Sequence, residues 1–211
     1  MTGDTVTPMH RADRALIRAF LGRMFSRAKP EQLVEIAWSD DKGKPNIARL
    51  FPCTPAGLDT AAEAAGRASD HGRNVYYGVN PRRAGTPTGQ RSYDHHVEAA
   101  LWQFVDGDTP EADSAYTFDG FKVPTSLEVQ TGTQPHPRRH LYWELDEPEG
   151  DLAAWKLRQK ALAAHYAGDK AVHNPSRVMR LPGTISYPHA KKIEKGYKVE
   201  PVAVTAQSAR R

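Results

Sequence analysis

Cysteine is nearly absent from this sequence of 211 residues, which contains only Cys53. A single cysteine cannot form an internal disulfide or build a cysteine-based zinc site, so both kinds of framework are excluded. No apolar run approaches the roughly 18 residues that a membrane-spanning helix needs, and the N-terminus lacks the apolar core of a signal peptide. The sequence therefore predicts a protein of the reducing cytoplasm that does not associate with membranes.

Aromatic residues, by contrast, are plentiful, with four Trp, eight Tyr and six Phe. Hydrophobic residues make up 39% of the chain and charged residues 26%, which excludes collagen-like, coiled-coil and largely disordered proteins. The length corresponds to one domain, or to one domain with a short appendage. We expect a globular domain that is large enough to bury its own core.

The net charge of +4 is small, but it is unevenly distributed along the chain. Residues 94–151 contain three basic and thirteen acidic residues, a net charge of −10. The flanks, residues 1–50 and 170–211, have net charges of +3 and +7. An acidic centre between basic flanks suits a site that holds divalent cations beside a polyanion, although charge alone is explained more simply by solubility.

Hydrophobic periodicity gives the order of helices and strands. Helices are predicted over residues 11–25, 57–69, 109–119 and 152–166. Strands are predicted over residues 33–38, 46–52, 74–80, 99–108, 126–132, 140–145 and 197–204. Residues 39–44 form a predicted hairpin turn and residues 82–93 a predicted mobile loop. This order indicates an α+β fold with a mostly antiparallel sheet and flanking helices.

Two carboxylates, Asp106 and Asp108, end the apolar strand predicted over residues 99–108. Because residues i and i+2 of a strand point to the same side, both side chains can converge on one cation. A site for Mg²⁺ or Mn²⁺ in phosphoryl chemistry has this form. Glu144 and Asp146 have the same spacing after another predicted strand and are the main rival pair.

A histidine and a further acid add to the candidate site residues. His140 opens a predicted strand directly after Arg138 and Arg139, and His and Arg at such a position can clamp a triphosphate. Asp169 follows the end of a predicted helix, where a surface turn residue is the simpler explanation from position alone.

Basic residues in two other segments can contact phosphates. Arg177 and Arg180 lie in an extended segment, where a spacing of three places them on opposite sides unless the register slips. Asn80, Arg82 and Arg83 form a basic loop, which is either a solvated turn or a contact to a nucleic-acid backbone.

In chain order, these pieces resemble the archaeo-eukaryotic primase superfamily, in particular the primase–polymerase branch of plasmid, phage and integrated-element replication proteins. The matching motifs are FVDGD (104–108), VQTG with RRHLYW (129–143), GD (168–169) and SRVMRLPGT (176–184). YYGVNPRR (76–83) is similar to the strand and basic loop before the first motif. The resemblance covers residues 33–190, and it departs from the family in the seven residues that separate Gly132 from His140.

The resemblance implies a catalytic core related to the RNA-recognition-motif fold. It also implies a primase or polymerase that makes or extends primers on single-stranded DNA by metal-dependent nucleotidyl transfer. The ligands of Mg²⁺ or Mn²⁺, and the catalytic residues, would be Asp106, Asp108 and Asp169. The residues that contact the nucleotide would be His140, Arg139, Arg177 and Arg180. The residues that contact nucleic acid would be Asn80, Arg82 and Arg83.

The same resemblance implies the partners and the organisation of the chain. The partners would be a single-stranded DNA template and nucleoside triphosphates, with a replicative helicase as a further candidate. We expect an N-terminal helical segment over residues 1–30, a primase–polymerase catalytic domain over 31–190 and a basic C-terminal strand and tail over 191–211. Because the chain lacks a cysteine zinc module and a helicase domain, we expect a stand-alone primase or an excised catalytic domain.

Two other classes of protein fit parts of the sequence. A non-catalytic module that binds single-stranded nucleic acid would use the aromatic residues of the sheet and the basic loops. A rolling-circle nicking endonuclease would use Tyr166 as its nucleophile, but it needs a His-x-His motif that this sequence lacks. We therefore rank the primase–polymerase first, the binding module second and the endonuclease third.

Overall fold

The computed structural model describes residues 10–39, 44–117 and 124–208. Its helices are α1 (Arg14–Met24), α2 (Pro55–Asp70), α3 (Pro110–Thr117), α4 (Leu152–His165) and α5 (Ala190–Ile193). Its strands are β1 (Leu33–Trp38), β2 (Ile47–Pro52), β3 (Val75–Gly78), β4 (Ala100–Gly107), β5 (Leu127–Gly132), β6 (Arg138–Glu149), β7 (Val178–Arg180), β8 (Ile185–Ser186), β9 (Glu200–Pro201) and β10 (Ala203–Gln207). A short 3-10 helix spans Asp94–His96.

The strands form two four-stranded sheets, which we call sheet A and sheet B. Sheet A has the strand order β2-β1-β3-β7 and sheet B the order β10-β5-β6-β4, while β8 pairs with β9. The paired strands in all three are antiparallel. The predicted fold class is confirmed: the protein is α+β, with antiparallel sheets and flanking helices.

The main hydrophobic core joins both sheets to helices α1, α2 and α4. Helix α1 begins after Asp13, whose side chain accepts a hydrogen bond from the backbone N–H of Leu16. Its apolar face is buried, and the ring of Phe20 packs edge-on against Tyr77 of β3 at 5.0 Å. On helix α4, Trp155 is fully buried beside Phe104 of β4. Each such side chain contributes about 1.5–3 kcal/mol by leaving water.

Strand β4 is buried on both faces, and this burial determines where its acidic end lies. Trp102 and Phe104 point into the main core, whereas Val105 packs in a smaller cluster with Tyr166. Because side chains alternate along a strand, Asp106 continues the face of Trp102 and Phe104. The carboxylate of Asp106 therefore emerges at the edge of the main core, where the two sheets end.

The chain differs from the sequence prediction mainly in its C-terminal third. The predicted strand over residues 197–204 is divided into β9 and β10, and the short elements β7, β8 and α5 were not predicted. Residues 1–9, the turn residues 40–43, the predicted helix end at residue 119 and the last residues, 209–211, lie outside the described residues. The three-part division of the chain stays a prediction. No helix in the described ranges is long and apolar enough to cross a lipid bilayer.

Candidate active site

A cavity of about 400 Å³ lies where the two sheets end. Sheet A contributes Tyr76 and Arg180 to its lining, and sheet B contributes Asp106 and His140. The segment that follows β8 supplies a further wall, made by Pro188, Lys192, Tyr197 and Lys198. The cavity is therefore built by residues that are distant in the sequence and belong to different layers of the fold.

The three aspartates predicted as metal ligands all line this cavity. Asp106 and Asp108 lie at the end of β4, and Asp169 lies in the turn that follows α4. The backbone N–H of Asp169 donates to the carbonyl oxygen of Asp106 at 2.9 Å, which fixes the turn against the strand. A Cβ atom on Gly168 would lie 2.5 Å from a methyl carbon of Val105, so only glycine permits this close approach.

The carboxylate of Asp106 is poorly compensated in its surroundings. Its Oδ1 atom is buried and accepts no hydrogen bond from the described residues. Burial, reinforced by the negative charges of Asp108 and Asp169, raises the pKa of Asp106 well above its usual range. A buried carboxylate oxygen without a donor is costly unless something compensates its charge. This site is therefore suited to take up a cation.

The carboxylate oxygens of the three aspartates suit a hard divalent cation whose remaining coordination positions are filled by a bound ligand. Oxygen ligands are preferred by Mg²⁺ and Mn²⁺, and Mg²⁺ is commonly held by one or two carboxylates together with substrate phosphates. Within residues 10–39, 44–117 and 124–208, no group of three or more His, Cys, Asp or Glu side chains forms a ready metal cluster. A cation at Asp106 and Asp108 would thus depend on further oxygens for its remaining coordination.

His140 faces Asp106 across the β4–β6 ladder, where the two residues are register partners. The imidazole is buried, and its Nδ1 atom lies 3.1 Å from the hydroxyl of Tyr142. Its Nε2 atom lies 3.6 Å from Oδ1 of Asp106. Burial lowers the pKa of His140 to about 4, so the ring is neutral at pH 7. Because a carboxylate oxygen faces Nε2, we expect the single proton on Nε2, with Nδ1 accepting from Tyr142.

The cavity also has a basic wall, formed by the cationic side chains of Lys44, Arg138, Arg180, Lys192 and Lys198. Arg180 donates to Oδ1 of Asn74 at 2.6 Å, and its guanidinium lies over the ring of Tyr76 at 5.3 Å. Arg138 bonds to Glu200 at 3.3 Å. These contacts orient the two arginines before any ligand arrives. Five cations beside three aspartates make a cavity suited to a polyanion that carries divalent cations.

Arg139, which is predicted to contact the nucleotide, does not line the cavity, whereas its neighbour Arg138 does. The contact of Arg139 with the nucleotide is therefore not supported and stays a prediction. Arg139 pairs with Asp113 at 2.5 Å and lies 3.9 Å from Glu128, away from the cavity. Adjacent residues on β6 face opposite sides, so Arg138 shares the face of His140 and lines the cavity. Strand alternation counted back from His140 was the signal that could have identified Arg138 from the sequence.

Arg177 and Arg180 have different positions, as their spacing of three predicts. Arg180 lines the cavity, whereas the lining does not include Arg177, which donates to the backbone carbonyl of Ala171. Burial lowers the pKa of Arg177, and the carboxylates of Asp169 and Asp106 oppose this effect. The structure therefore places Arg177 behind the acidic group rather than in the cavity, so its predicted contact with the nucleotide is not supported.

Asn80 and Arg82, predicted to contact nucleic acid, are fully buried, so that prediction is wrong for both. Arg82 forms an ion pair with the buried Glu35 at 2.8 Å. Oδ1 of Asn80 accepts from the backbone N–H of Leu101 at 2.9 Å. Both side chains connect sheet A to neighbouring segments. Arg83 is exposed, and its contact with nucleic acid stays a prediction.

Tyr166, the nucleophile of the endonuclease alternative, is only 2% exposed. Its ring stacks on Trp143 at 5.5 Å in the smaller hydrophobic cluster. A nucleophile must reach a DNA phosphate, and this buried ring has no such access. The endonuclease alternative is therefore not supported, because the tyrosine that it needs as nucleophile is buried.

Solved structures of replication enzymes match this fold over most of the chain. The AEP domain of the cyanophage S-2L primase–polymerase is 25% identical, with a TM-score of 0.61 over 94% of this chain and 92% of that one. The primase RepB′ is 18% identical, with a TM-score of 0.56 over 90% of this chain and 56% of that one. The catalytic domain of RepB′ in complex with initiator DNA is 18% identical, with a TM-score of 0.55 over 91% and 85% of the two chains.

No protein-family model matches the chain, and no curated protein does so either. The fold is nevertheless shared with solved primases and with a primase–polymerase. The AEP domain of the cyanophage primase–polymerase, at 25% identity, confirms the resemblance to the archaeo-eukaryotic primase superfamily and to its primase–polymerase branch. At the level of the fold, this likeness supports a nucleotidyltransferase of the primase–polymerase type.

Proposed function

We propose that this protein is a DNA-dependent primase–polymerase that synthesises or extends primers on single-stranded DNA by metal-dependent nucleotidyl transfer. The observation that carries the proposal is the convergence of Asp106, Asp108, Asp169 and His140 with five cationic side chains in one cavity. These residues come from separate elements of both sheets. The family motifs imply that these residues meet at one place.

A nucleoside triphosphate fits the charge distribution of the cavity. Its phosphates would lie against the basic wall, where Arg138 and Arg180 are already oriented by Glu200 and Asn74. Neutral His140 would donate a hydrogen bond from Nε2 to a phosphate oxygen. Because this donor carries no charge at pH 7, the arginines and lysines would supply the positive charge that binds the triphosphate.

Asp106, Asp108 and Asp169 would hold the divalent cations, Mg²⁺ or Mn²⁺. The buried and unpartnered Oδ1 of Asp106 supports this role, because a cation would compensate its charge. When bound, the metal supplies Lewis-acid stabilisation of the negative charge on the reacting phosphate.

The reaction breaks a phosphoanhydride bond and forms a phosphodiester bond, and the protein contributes position and charge. The 3′-hydroxyl oxygen bonds to the α-phosphorus and releases its proton to water, while the bond from that phosphorus to the pyrophosphate breaks. Negative charge grows on the leaving pyrophosphate, where Arg138, Lys192 and Lys198 would stabilise it. A wall that is oriented in advance needs little rearrangement as this charge develops.

The proposal is tested by measuring incorporation of labelled nucleotides on primed and unprimed single-stranded DNA, with Mg²⁺ or Mn²⁺. Exchanging both Asp106→Ala and Asp108→Ala should abolish incorporation. The matched control exchanges Asp59→Ala and Glu147→Ala, two exposed acids outside the cavity, and should keep full activity. A fully active cavity variant would overturn the proposal. Wild-type protein that binds single-stranded DNA without incorporating nucleotide would favour the binding module instead.

The resemblance also supports two broader proposals. The first is that a replicative helicase is a partner of this protein. The second is the three-part division into residues 1–30, 31–190 and 191–211, in which the middle part is the catalytic domain.

A further inference from the structure

The segment from Arg83 to His96 is held firmly on the face of sheet A that carries Glu35. The carboxylate of Glu35 accepts hydrogen bonds from Nε of Arg91 at 2.5 Å and from the backbone N–H of Ser92 at 3.2 Å. Farther along, the backbone N–H of Gly89 donates to the carbonyl of Ala48 in β2 at 2.9 Å. The loop predicted to be mobile is therefore anchored at several points, and the side chains that it exposes have defined positions.

Two of these exposed side chains form a stacked aromatic pair, which we call the aromatic platform: Tyr93 and His95. Tyr93 is 59% exposed, although it is a large aromatic residue. Its ring is nearly parallel to that of His95, with 5.8 Å between the ring centroids and 10° between the planes. The backbone N–H of Tyr93 also donates to Nδ1 of His96 at 3.0 Å. The platform is thus oriented by its own turn, and no core packing explains the exposed ring.

The surroundings of the platform favour a negatively charged partner. Arg83 is exposed, and its backbone N–H donates to the carbonyl of His96 at 2.7 Å. The acid of this turn, Asp94, already accepts hydrogen bonds from Ser176 and Asn174. An exposed aromatic pair beside an exposed arginine is a combination used to bind single-stranded nucleic acid.

The platform is also connected to the candidate active site. Asp94, which lies between its two rings in the sequence, bonds to the hydroxyl of Ser176 at 2.6 Å. The next residue, Arg177, interacts electrostatically with Asp94, Asp169 and Asp106. The turn that carries the platform is therefore linked through Ser176 and Arg177 to the acidic group of the cavity.

We propose that Tyr93 and His95 form a stacking site for bases of the single-stranded DNA template as it approaches the cavity. The inference rests on the proposed function for the identity of the strand as a template. The stacking site itself depends only on the exposed platform and on the exposed Arg83. Stacking of a base on an aromatic side chain tolerates any sequence, because every base has a π-face. Such a site would hold a template without restricting which bases are copied.

The test is the affinity for a fluorescent oligothymidylate, measured by anisotropy with neither nucleotide nor divalent cation present. Tyr93→Ala should weaken binding by about 5- to 150-fold, the range measured for loss of one stacked base. Tyr93→Phe keeps the ring and should remain within about twofold of the wild type. Leu157→Ala is the matched control, because Leu157 is 70% exposed on α4 and should leave affinity unchanged. Wild-type affinity in Tyr93→Ala would overturn the inference.

Two further arms separate the platform from general electrostatic binding. Arg83→Ala should reduce the slope of log affinity against log salt by about 1, whereas Tyr93→Ala should leave the slope unchanged. Binding of duplex DNA should be nearly the same in wild type and Tyr93→Ala, because paired bases do not expose their faces. An equal loss on duplex DNA would contradict a stacking site.

The outcome is distinguishable from failure of the proposed function. Adding Tyr93→Ala to the variant with Asp106→Ala and Asp108→Ala should weaken its binding of the oligothymidylate by the same factor as in the wild-type background, whatever the affinity of that background. If the wild type incorporates no nucleotide but Tyr93→Ala still loses affinity, the primase–polymerase proposal fails and the platform stands. If Tyr93→Ala binds normally, the platform fails whatever the incorporation assay shows.

Discussion

Two carboxylates at the edges of the core, Glu35 in sheet A and Asp106 in sheet B, are surrounded in opposite ways. Glu35 is fully buried and accepts hydrogen bonds from Arg82, Arg91 and the backbone N–H of Ser92. The charges of Arg82 and Arg91 outweigh the effect of burial, so the pKa of Glu35 is lowered. Asp106 has a buried oxygen without a donor and two aspartates nearby, and its pKa is raised.

The comparison shows that the charge of Glu35 stabilises the fold, whereas the charge of Asp106 is available to bind a ligand. The network around Glu35 satisfies its own members, so it connects the loop over residues 82–93 to sheet A and has no need of a ligand. The group around Asp106 is incomplete and is stabilised only when a cation or proton arrives. Functional sites commonly retain such destabilising arrangements, because completing them within the protein would leave nothing for the substrate to bind.

The largest predicted effect is on stability, and it comes from Glu35. Glu35→Gln leaves two buried or half-buried arginines without their anion, which should lower the free energy of unfolding by about 3–5 kcal/mol. Asp106→Asn removes a repelled charge and should leave stability unchanged or increased. Urea denaturation of both variants measures the difference. If Glu35→Gln were as stable as wild type, the distinction drawn between the two sites would be wrong.

The pH dependence of stability gives the control for this prediction. Because the pKa of Glu35 is lowered in the folded state, its contribution is present above the usual glutamate range, near pH 4.3, and is lost as the pH falls through the folded value. The gap in stability between wild type and Glu35→Gln should therefore shrink on acidification. Replacing both partners, by Glu35→Leu with Arg82→Met, should recover much of the loss.

The same contrast exists on a smaller scale between the neighbours Arg138 and Arg139. Arg138→Ala should raise the KM for nucleotide about 10- to 150-fold, because a hydrogen bond to a charged group contributes about 1.5–3 kcal/mol. Arg139→Ala removes the pair with Asp113 on the opposite face of β6 and should leave this KM unchanged. Steady-state kinetics of the two variants provide matched measurements. Equal effects would contradict the assignment of the two faces.

Much of the secondary structure could be predicted from the sequence, because each element depends on local patterns. The periodicity of α1, the Pro110 start of α3 and the apolar run of β4 are all visible without a structure. The division of the strands into two sheets is not visible, because a strand does not encode which partner it pairs with. The short elements β7 and β8 also escape periodicity, since they contain three and two residues.

The residues of the candidate site could be predicted where they belong to an ordered sequence motif. They could not be predicted where their role depends on whether the side chain is buried or exposed. Asp106, Asp108, Asp169, His140 and Arg180 line one cavity, as the resemblance implies, and their roles stay predictions. Asn80 and Arg82 were predicted to lie in an exposed basic loop because the sequence does not show that Arg82 pairs with Glu35, or that Asn80 accepts from the backbone of Leu101. Lys192, Tyr197 and Lys198 were missed as part of the site because a lysine-rich turn resembles a solvated surface.

The smallest predicted effect tests whether Tyr142 positions His140. Tyr142 is fully buried, and its hydroxyl lies 3.1 Å from Nδ1 of the neutral imidazole. Donation from this hydroxyl would hold the ring proton on Nε2, the nitrogen that faces the cavity. Tyr142→Phe removes one hydrogen bond of about 0.5–1.5 kcal/mol and should raise the KM for nucleotide about 2- to 10-fold. The ¹⁵N shifts of His140 should show a smaller fraction protonated on Nε2.

A matched control separates positioning from a general loss of stability. Tyr116 is also buried and bonds through its hydroxyl to Glu128, outside the cavity. Tyr116→Phe should lower stability without changing the KM for nucleotide or the shifts of His140. If Tyr142→Phe lowered stability alone, with unchanged KM and an unchanged protonation pattern, Tyr142 would belong with Glu35 among the structural groups. A raised KM with altered shifts instead places Tyr142 in the incomplete, ligand-dependent group around Asp106.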